Sequence, residues 1–404
     1  MDNAIKRRTA MQQPHYNKDL DVRQIGPEDL ARARLVAGRA FMEHAEDWYG
    51  EDETTLAGFD GEGTMVCVLG YQPESLWWGE AQIPAGAIGG VATDPKHKRR
   101  GHAGGLMVQA IHILQERGCC VSPLWPFSYR WYGKFGWACP APRLELKVWP
   151  DLVRQATATV GEVRRATADD ASAVHRLHTE GAQLRNGQSV RSEAFWQKED
   201  IRRELWVLER DGGGVDCSAL MLIGDLGRGQ GKRITVRELH GASFADQLKF
   251  VRSVADMDGV AVLNLDLPPD SLLLGAFPER FNASVEFDLA LRVLDVGQAL
   301  AHLKPPENLQ ATVSFEVADW VVNADKPLAV TVQAEGGQVQ VSEKADKDAL
   351  CCDINTFTQL FAGGLSVAQA RAMGRLTGGN PAVGASCDAL LHGRVPYRSD
   401  VEAG

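Results

Sequence analysis

The stretch Ala92–Met107, ATDPKHKRRGHAGGLM, passes from extended to basic to glycine-rich to apolar within one short span. Upstream, GAIGGVAT (86–93) reads as a strand. Downstream, AGGLMVQAIHILQERG (103–118) sets Leu106, Ala110, Ile113 and Leu114 on one helical face, and Gly118 supplies the stop. A strand, a tight turn and a helix make an α/β unit. Lys96, His97, Lys98, Arg99, Arg100 and His102 gather just ahead of that helix, in a chain whose net charge is -10. The N–H groups of a helix's first turn attract anions. Small residues let backbone approach a diphosphate, and Arg99 and Arg100 can donate to its oxygens. The GK[ST] ending of a Walker loop is absent, as is GxGxxG. A solvated basic turn before an ordinary helix has the same composition, so the loop alone leaves both readings open.

Working outward, TMVCVLGY (64–71) and CCVSPL (119–124) read as strands around this unit, and RLELKV (143–148) alternates like a half-exposed strand. VWPDLVRQATATVGEV (148–163) reads as a linker. VRQIGPEDLARA from Val22 returns as VRRATADDASAV from Val163, each with acidic residues where a helix begins. That spacing is domain-sized and predicts a duplicated α/β module. WVLER, CSALMLIG and VAVLNLDL supply strands for the second copy. Beyond residue 297 the pattern changes to hairpin-like alternation, with turn signals at Asn323–Asp325 and Gly336–Gly337, followed by helices around INTFTQLFAGG and SVAQARAMGRL. The expected division is 1–152, 153–297 and 298–404, with two α/β modules before an α+β domain.

At 404 residues the chain exceeds one ordinary core, and 44% hydrophobic with 24% charged residues is the balance of a globular protein. No apolar run of membrane-spanning length occurs, and the N-terminus lacks the apolar region of a signal peptide. The cysteines, two adjacent pairs among them, show no CxxC spacing and read as small buried residues of a reducing cytoplasm. His175 and His178 have no carboxylate at a metal-binding spacing, so they read as surface histidines and no metal is expected. The acidic balance argues against nucleic acid and suits cationic substrates.

KRRGHA (98–103) resembles the [QR]-x-x-G-x-[GA] pyrophosphate loop of GNAT acetyltransferases, with Lys98 at the first position. PFSYRWYGKFGW (126–137) resembles the FY-x-KFGW segment of the Eis (enhanced intracellular survival) family. That family joins two tandem GNAT modules to a sterol-carrier-protein-like domain, the order already read from the elements. The resemblance implies an acetyl-CoA-dependent N-acetyltransferase. Val91, Ala92 and Thr93 match the strand whose backbone pairs with pantetheine where strands four and five splay. Arg99, Arg100, Gly101, His102, Ala103 and Gly104 match the pyrophosphate loop, and Phe127 matches a wall of the cofactor channel.

By the same resemblance Tyr132 is the general acid; a phenol of ordinary pKa near 10 is protonated at neutral pH and can donate to a departing thiolate. The other reading of Tyr132 is a core aromatic beside Trp131, Phe135 and Trp137. The second module has no counterpart of the loop, which implies one acetyl-CoA site per chain. Family members end near P-Y-x-x-D-[YF]-F, with the terminal carboxylate as base; here PYRSDVEAG leaves the Gly404 carboxylate, Glu402 or water for that role. Asp47 and Trp48 follow the first helix, where GNAT folds build the acceptor wall, and can hold a cationic amine; a solvated acidic loop is the other reading. The resemblance further implies a homo-oligomer, hexameric in the family, and an amine acceptor of the aminoglycoside or lysine-like type. The competing reading is a catalytically idle protein whose C-terminal domain holds an apolar ligand.

Overall fold

The computed structural model describes residues 15–45, 48–50 and 54–403. The chain gathers into two units, each discontinuous in sequence. One comprises residues up to Leu76, Gln82–Pro140 and Leu289–Gly393; the other comprises Trp77–Ala81, Ala141–Asp288 and the chain from Arg394 onward.

In the first unit, β1 (Asp21–Gln24), β2 (Thr54–Phe59), β3 (Met65–Trp78), β4 (Ala81–Thr93) and β5 (Val121–Leu124) lie side by side in that order. β1, β2 and β3 pair antiparallel, and β4 meets β5 in parallel. The acidic cluster in GPED opens helix α1 (Pro27–Phe41): Pro27 fixes the first turn, and Glu28 and Asp29 face its unpaired N–H groups. Helix α2 (His102–Glu116) connects β4 to β5 and buries Leu106, Ala110 and Leu114, with Ile113 half-buried at the edge of that face. A single turn, α3 (Tyr129–Tyr132), follows β5.

The second unit holds β6 (Arg143–Val148), β7 (Val163–Arg165), β8 (Asn186–Ser189), β9 (Leu205–Glu209), β10 (Val215–Asp225), β11 (Lys232–Gly241), β12 (Val260–Leu267) and β13 (Asn282–Glu286). Its sheet runs β13-β6-β12-β11-β10-β9-β7. The RLELKV strand, read with the first copy, therefore pairs with β12 and β13 in this sheet. The stretch read as a linker contains helix α4 (Pro150–Ala156), because Pro150 starts a turn whose Leu152 and Val153 are buried. Helix α5 (Ala171–Gln183) begins after the capping box formed by Thr167 and Asp170, and helix α6 (Phe244–Ala255) joins β11 to β12.

The chain then returns to the first unit. β14 (Ala290–Val293) pairs antiparallel with β5, from Ala290↔Leu124 to Val293↔Val121. β15 (Ala311–Asp319), β16 (Asn323–Glu335), β17 (Gln338–Ser342), β18 (Leu350–Asp353) and β19 (Leu376–Gly378) form a sheet in the order β17-β16-β15-β18-β19. Gly336 and Gly337, with φ of 58° and 76°, make the expected tight hairpin. The turn expected at Asn323–Asp325 falls earlier, at 320–322. Asp319 causes the shift, accepting from the N–H groups of Val321 and Val322 and reversing the chain before Asn323, which then pairs back with Asp319. Helix α7 (Ile354–Ala362) buries Phe357 and Phe361 against this sheet, where Phe315 meets Phe357 edge-on at 5.2 Å.

Candidate active site

The parallel ladder between β4 and β5 runs from Ala85↔Val121 to Ile88↔Leu124. β5 ends at Leu124, while β4 continues through Gly89 and Gly90 to Val91, Ala92 and Thr93. The strands thus part where the resemblance to GNAT proteins expects. A positive φ of 59° at Gly90 marks the departure, and the Tyr49 hydroxyl donates to the Gly90 carbonyl. Any Cβ at Gly90 would sit 2.8 Å from the Tyr49 ring, so glycine is required there. Val91 and Thr93 are half-buried and Ala92 is buried, and the Val91–Thr93 backbone lies beyond the ladder to β5.

Asp94 ends β4 and holds the basic turn. Its carboxylate accepts from the Lys96 N–H at 2.9 Å and from Arg39 at 3.0 Å. Burial opposes its ionisation, but those hydrogen bonds keep its pKa below the ordinary value. Lys98, Arg99 and Arg100 are exposed, and Arg99 adopts a left-handed φ of 64°. Gly101 follows at φ 78° as the N-cap of α2, with no side chain capping the helix. The first turn of α2 therefore presents uncapped N–H groups beside two guanidinium-bearing residues.

The small residues have a further cause that the sequence did not reveal. Residues 15–17 lie against the start of α2: Asn17 N donates to Gly101 O at 3.0 Å, and Asn17 Nδ2 lies 3.2 Å from His102 Nδ1. A Cβ on Gly101 would meet Asn17 N at 2.8 Å, and one on Gly104 would meet Tyr16 Cβ at 2.9 Å. At Gly105 it would strike the Asn17 carbonyl. The His102 side chain is buried, and burial with the nearby His97 and Arg100 lowers its pKa. The GHAGG run is thus matched to the chain's own N-terminal strap on one side, whatever it binds on the other.

Tyr132 closes α3 and is 4% exposed. Its ring stands edge-on to Trp131 at 4.7 Å and to Phe127 at 5.3 Å. Ser128 caps the turn by accepting from Trp131 N. Burial raises the Tyr132 phenol well above its ordinary pKa, so it holds its proton across the neutral range. Phe127, 74% exposed, lies beside it. Tyr132 shares one core cluster with Leu106 of α2 and Leu124 of β5, and Val91 packs against the same cluster. The two readings of Tyr132 are therefore compatible, since its ring is core and its neighbours border the splay.

The second unit has a matching strand–helix–strand, β11–α6–β12. There the helix start is capped by Ser243, which accepts from Asp246 N, and Asp246 places a carboxylate in the first turn. Both features oppose an anion. The expectation for His178 needs correction. Its ring is buried, with Nδ1 3.1 Å from Glu238 Oε1, and His240 reaches the same oxygen. The carboxylate lies far away in sequence, on the neighbouring strand β11, which is why spacing did not reveal it. These three residues offer ligand-capable atoms within 4.8 Å of one another, but Arg191 already places a positive charge on the second oxygen of Glu238. Glu402 lies in the same network, 2.8 Å from Arg191 Nε. Asp47 and Gly404 lie outside the described residues. Trp48 is half-buried against Phe41 at 4.9 Å, with its carbonyl held by Arg34.

Residues 21–139 match the acetyltransferase (GNAT) domain family, and residues 296–399 match the sterol carrier protein domain family. Over 423 positions the chain is 25% identical to an uncharacterised N-acetyltransferase of Streptomyces griseus, spanning 95% of this chain and 99% of that one. Its fold is similar to a GCN5-related N-acetyltransferase from Anabaena variabilis (TM-score 0.81, 18% identity, 94% and 99% of the two chains). It is similarly close to Eis1 from Mycobacterium abscessus (TM-score 0.74, 18% identity, 94% and 99%). The chain thus carries a GNAT acetyltransferase domain at residues 21–139 and a sterol carrier protein domain at residues 296–399, which supports an acyltransferase. Its resemblance to the Eis family extends from the two quoted motifs to the fold. A GNAT acetyltransferase domain implies acetyl-CoA as donor and a separate acceptor. Among the described residues no helix is long and apolar enough to cross a membrane.

Proposed function

We propose that this protein transfers the acetyl group of acetyl-CoA to a primary amine of the aminoglycoside or lysine-like type, by direct attack in a ternary complex. One observation carries the reading: the β4–β5 ladder stops at Ile88↔Leu124, two glycines before Val91–Thr93, and the uncapped start of α2 follows the basic turn after that strand. Arg99, Arg100 and the backbone of Gly101–Gly104 hold the diphosphate, while Val91–Thr93 and Phe127 border the pantetheine arm. The amine nitrogen attacks the thioester carbonyl, β4 N–H groups steady the oxyanion, and the C–S bond breaks. Tyr132 gives its proton to the departing sulfur, so that coenzyme A leaves as the thiol.

For the amine's own proton the family resemblance offers three acceptors, the Gly404 carboxylate, Glu402 or water. Glu402 is a weakened base. Burial raises its pKa, but Arg191 and Arg398 outweigh this and hold it below the ordinary carboxylate value. The capped, acidic start of α6 supports a single acetyl-CoA site per chain. By the family resemblance we also propose a homo-hexamer in the cytoplasm, composed of sequence modules 1–152, 153–297 and 298–404. The testing experiment is a panel of aminoglycosides and diamines with acetyl-CoA, followed by free-thiol release. Acetylation of at least one amine class is expected; acetyl-CoA binding without turnover on any amine overturns the reading.

A further inference from the structure

The segment just after Tyr132 is held by side chains from the far end of the sequence. Asn355, on α7, donates through Nδ2 to Gly133 O at 3.0 Å and to Trp137 O at 3.1 Å. One turn later on the same helix, Gln359 donates to Cys139 O at 2.6 Å. Trp320, in the β15–β16 turn, donates its Nε1–H to Lys134 O at 2.8 Å. Arg292, on β14, donates to Phe135 O and to Asp319, the second at 2.6 Å, with no exposed surface. Gly136, at φ 96°, lies where any Cβ would collide with that guanidinium. Asn355, Gln359 and Trp320 lie within the matched sterol carrier protein domain, and Arg292 just before it.

We infer that the sterol carrier protein domain is the positioning element of the acetyl-transfer site, fixing the Gly133–Cys139 loop and through it the Tyr132 hydroxyl. The inference rests on the reading of Tyr132 as the general acid. A four-residue turn has too few internal hydrogen bonds to hold a side chain to the tolerance that proton transfer needs. Here five carbonyls in seven residues are held from one domain and its entry strand. These residues touch no reacting atom; Asn355 and Trp320 act through Tyr132. The C-terminal domain's interior is meanwhile filled by Phe315, Phe357 and Phe361, each essentially without exposed surface.

The test is a double-mutant cycle in the full-length protein. Asn355→Ala removes two of the hydrogen bonds. Trp320→Phe removes one N–H while keeping an aromatic ring near Tyr16 and Phe135. Each is expected to lower kcat about tenfold or more, with KM for acetyl-CoA within about twofold. In a Tyr132→Phe background neither should lower kcat further, because the group they position is already gone. Equal losses in both backgrounds would mean general destabilisation and overturn the inference, as would an unchanged kcat in both single variants. If Tyr132→Phe alone leaves kcat intact, it is the reading of the acid that fails. Should Asn355→Ala not fold, Trp320→Phe answers the question alone.

Discussion

At Tyr132 two requirements meet on one side chain. Its ring completes a packed aromatic cluster, while burial keeps its hydroxyl protonated. Tyr132→Phe keeps the ring and removes the proton, and is expected to lower turnover roughly 10²–10⁴-fold while leaving acetyl-CoA affinity nearly unchanged. Steady-state kinetics with isothermal titration separates this from a packing role, in which the melting temperature falls and turnover does not. For the anion site, Arg99→Ala combined with Arg100→Ala is expected to weaken acetyl-CoA binding by about 2–4 kcal/mol, since charge-assisted hydrogen bonds contribute about 1.5–3 kcal/mol each and do not simply add. Calorimetry on the double variant checks it, and unchanged affinity moves the phosphate site elsewhere. These residues were legible because a loop before a helix is a local pattern. His178 was not: its partners Glu238 and His240 lie on another strand, and only sheet formation brings them together.

Among the elements, α2 shows how a nearby segment reverses a general rule. Replacing a mid-helix glycine with alanine ordinarily stabilises by about 0.5–1 kcal/mol. At Gly105 the added methyl would collide with the Asn17 carbonyl. Gly105→Ala is therefore expected to destabilise, by about 1–3 kcal/mol, the usual cost of overpacking. A urea midpoint higher than wild type would refute the strap's role. The start of the second copy offers a pH test. Asp170 accepts from Arg164 through both carboxylate oxygens, and that hydrogen bonding, against some desolvation, lowers its pKa to about 2. An unfolded Asp titrates near 4. The depressed value contributes stability that is present above about pH 4 and is lost as pH falls toward about 2. Asp170→Asn should be less stable than wild type at pH 7 by about 1–2 kcal/mol, with the gap narrowing as pH falls from about 4 through about 2. A gap that stays constant with pH assigns the effect to shape instead of charge. The acidic cluster ADD marked this helix start in the sequence; its Arg164 partner belongs to the same quoted repeat, but nothing local showed the pairing.

For the whole molecule, the tail connects stability with chemistry. Glu402 is 2.7 Å from Arg191 Nη2, and both side chains are almost fully buried. Deleting everything after Asp400 removes that carboxylate and leaves Arg191 with less compensation, expected to cost about 3 kcal/mol as well as turnover. Deleting Ala403 and Gly404 alone spares the ion pair. It is expected to leave the melting temperature near wild type, and because it moves a terminal carboxylate to Glu402 without removing the charge, its effect on turnover is expected to be milder than that of the longer deletion. Differential scanning fluorimetry beside thiol-release kinetics reads both. Most strands and helices were legible because their periodicity is local: WVLER, CSALMLIG and VAVLNLDL all became strands of one sheet. The pairing was not legible, because nothing in RLELKV says that it joins β12, nor anything in Ala290–Val293 that it joins β5.

That last pairing sets a timetable for synthesis. β5 is complete at Leu124, yet the strand that covers its edge begins at Ala290. At about 5–20 residues per second, a ribosome takes roughly 10–30 s to deliver it. Throughout that interval the nascent chain carries an open edge of Val121–Leu124 and a Tyr132 loop whose Asn355 and Gln359 anchors are not yet translated. An unpaired edge recruits foreign strands. The proposed acetyl-transfer site is therefore expected to mature late on the ribosome, and premature termination between Leu124 and Ala290 is expected to yield an aggregation-prone fragment instead of a small working enzyme.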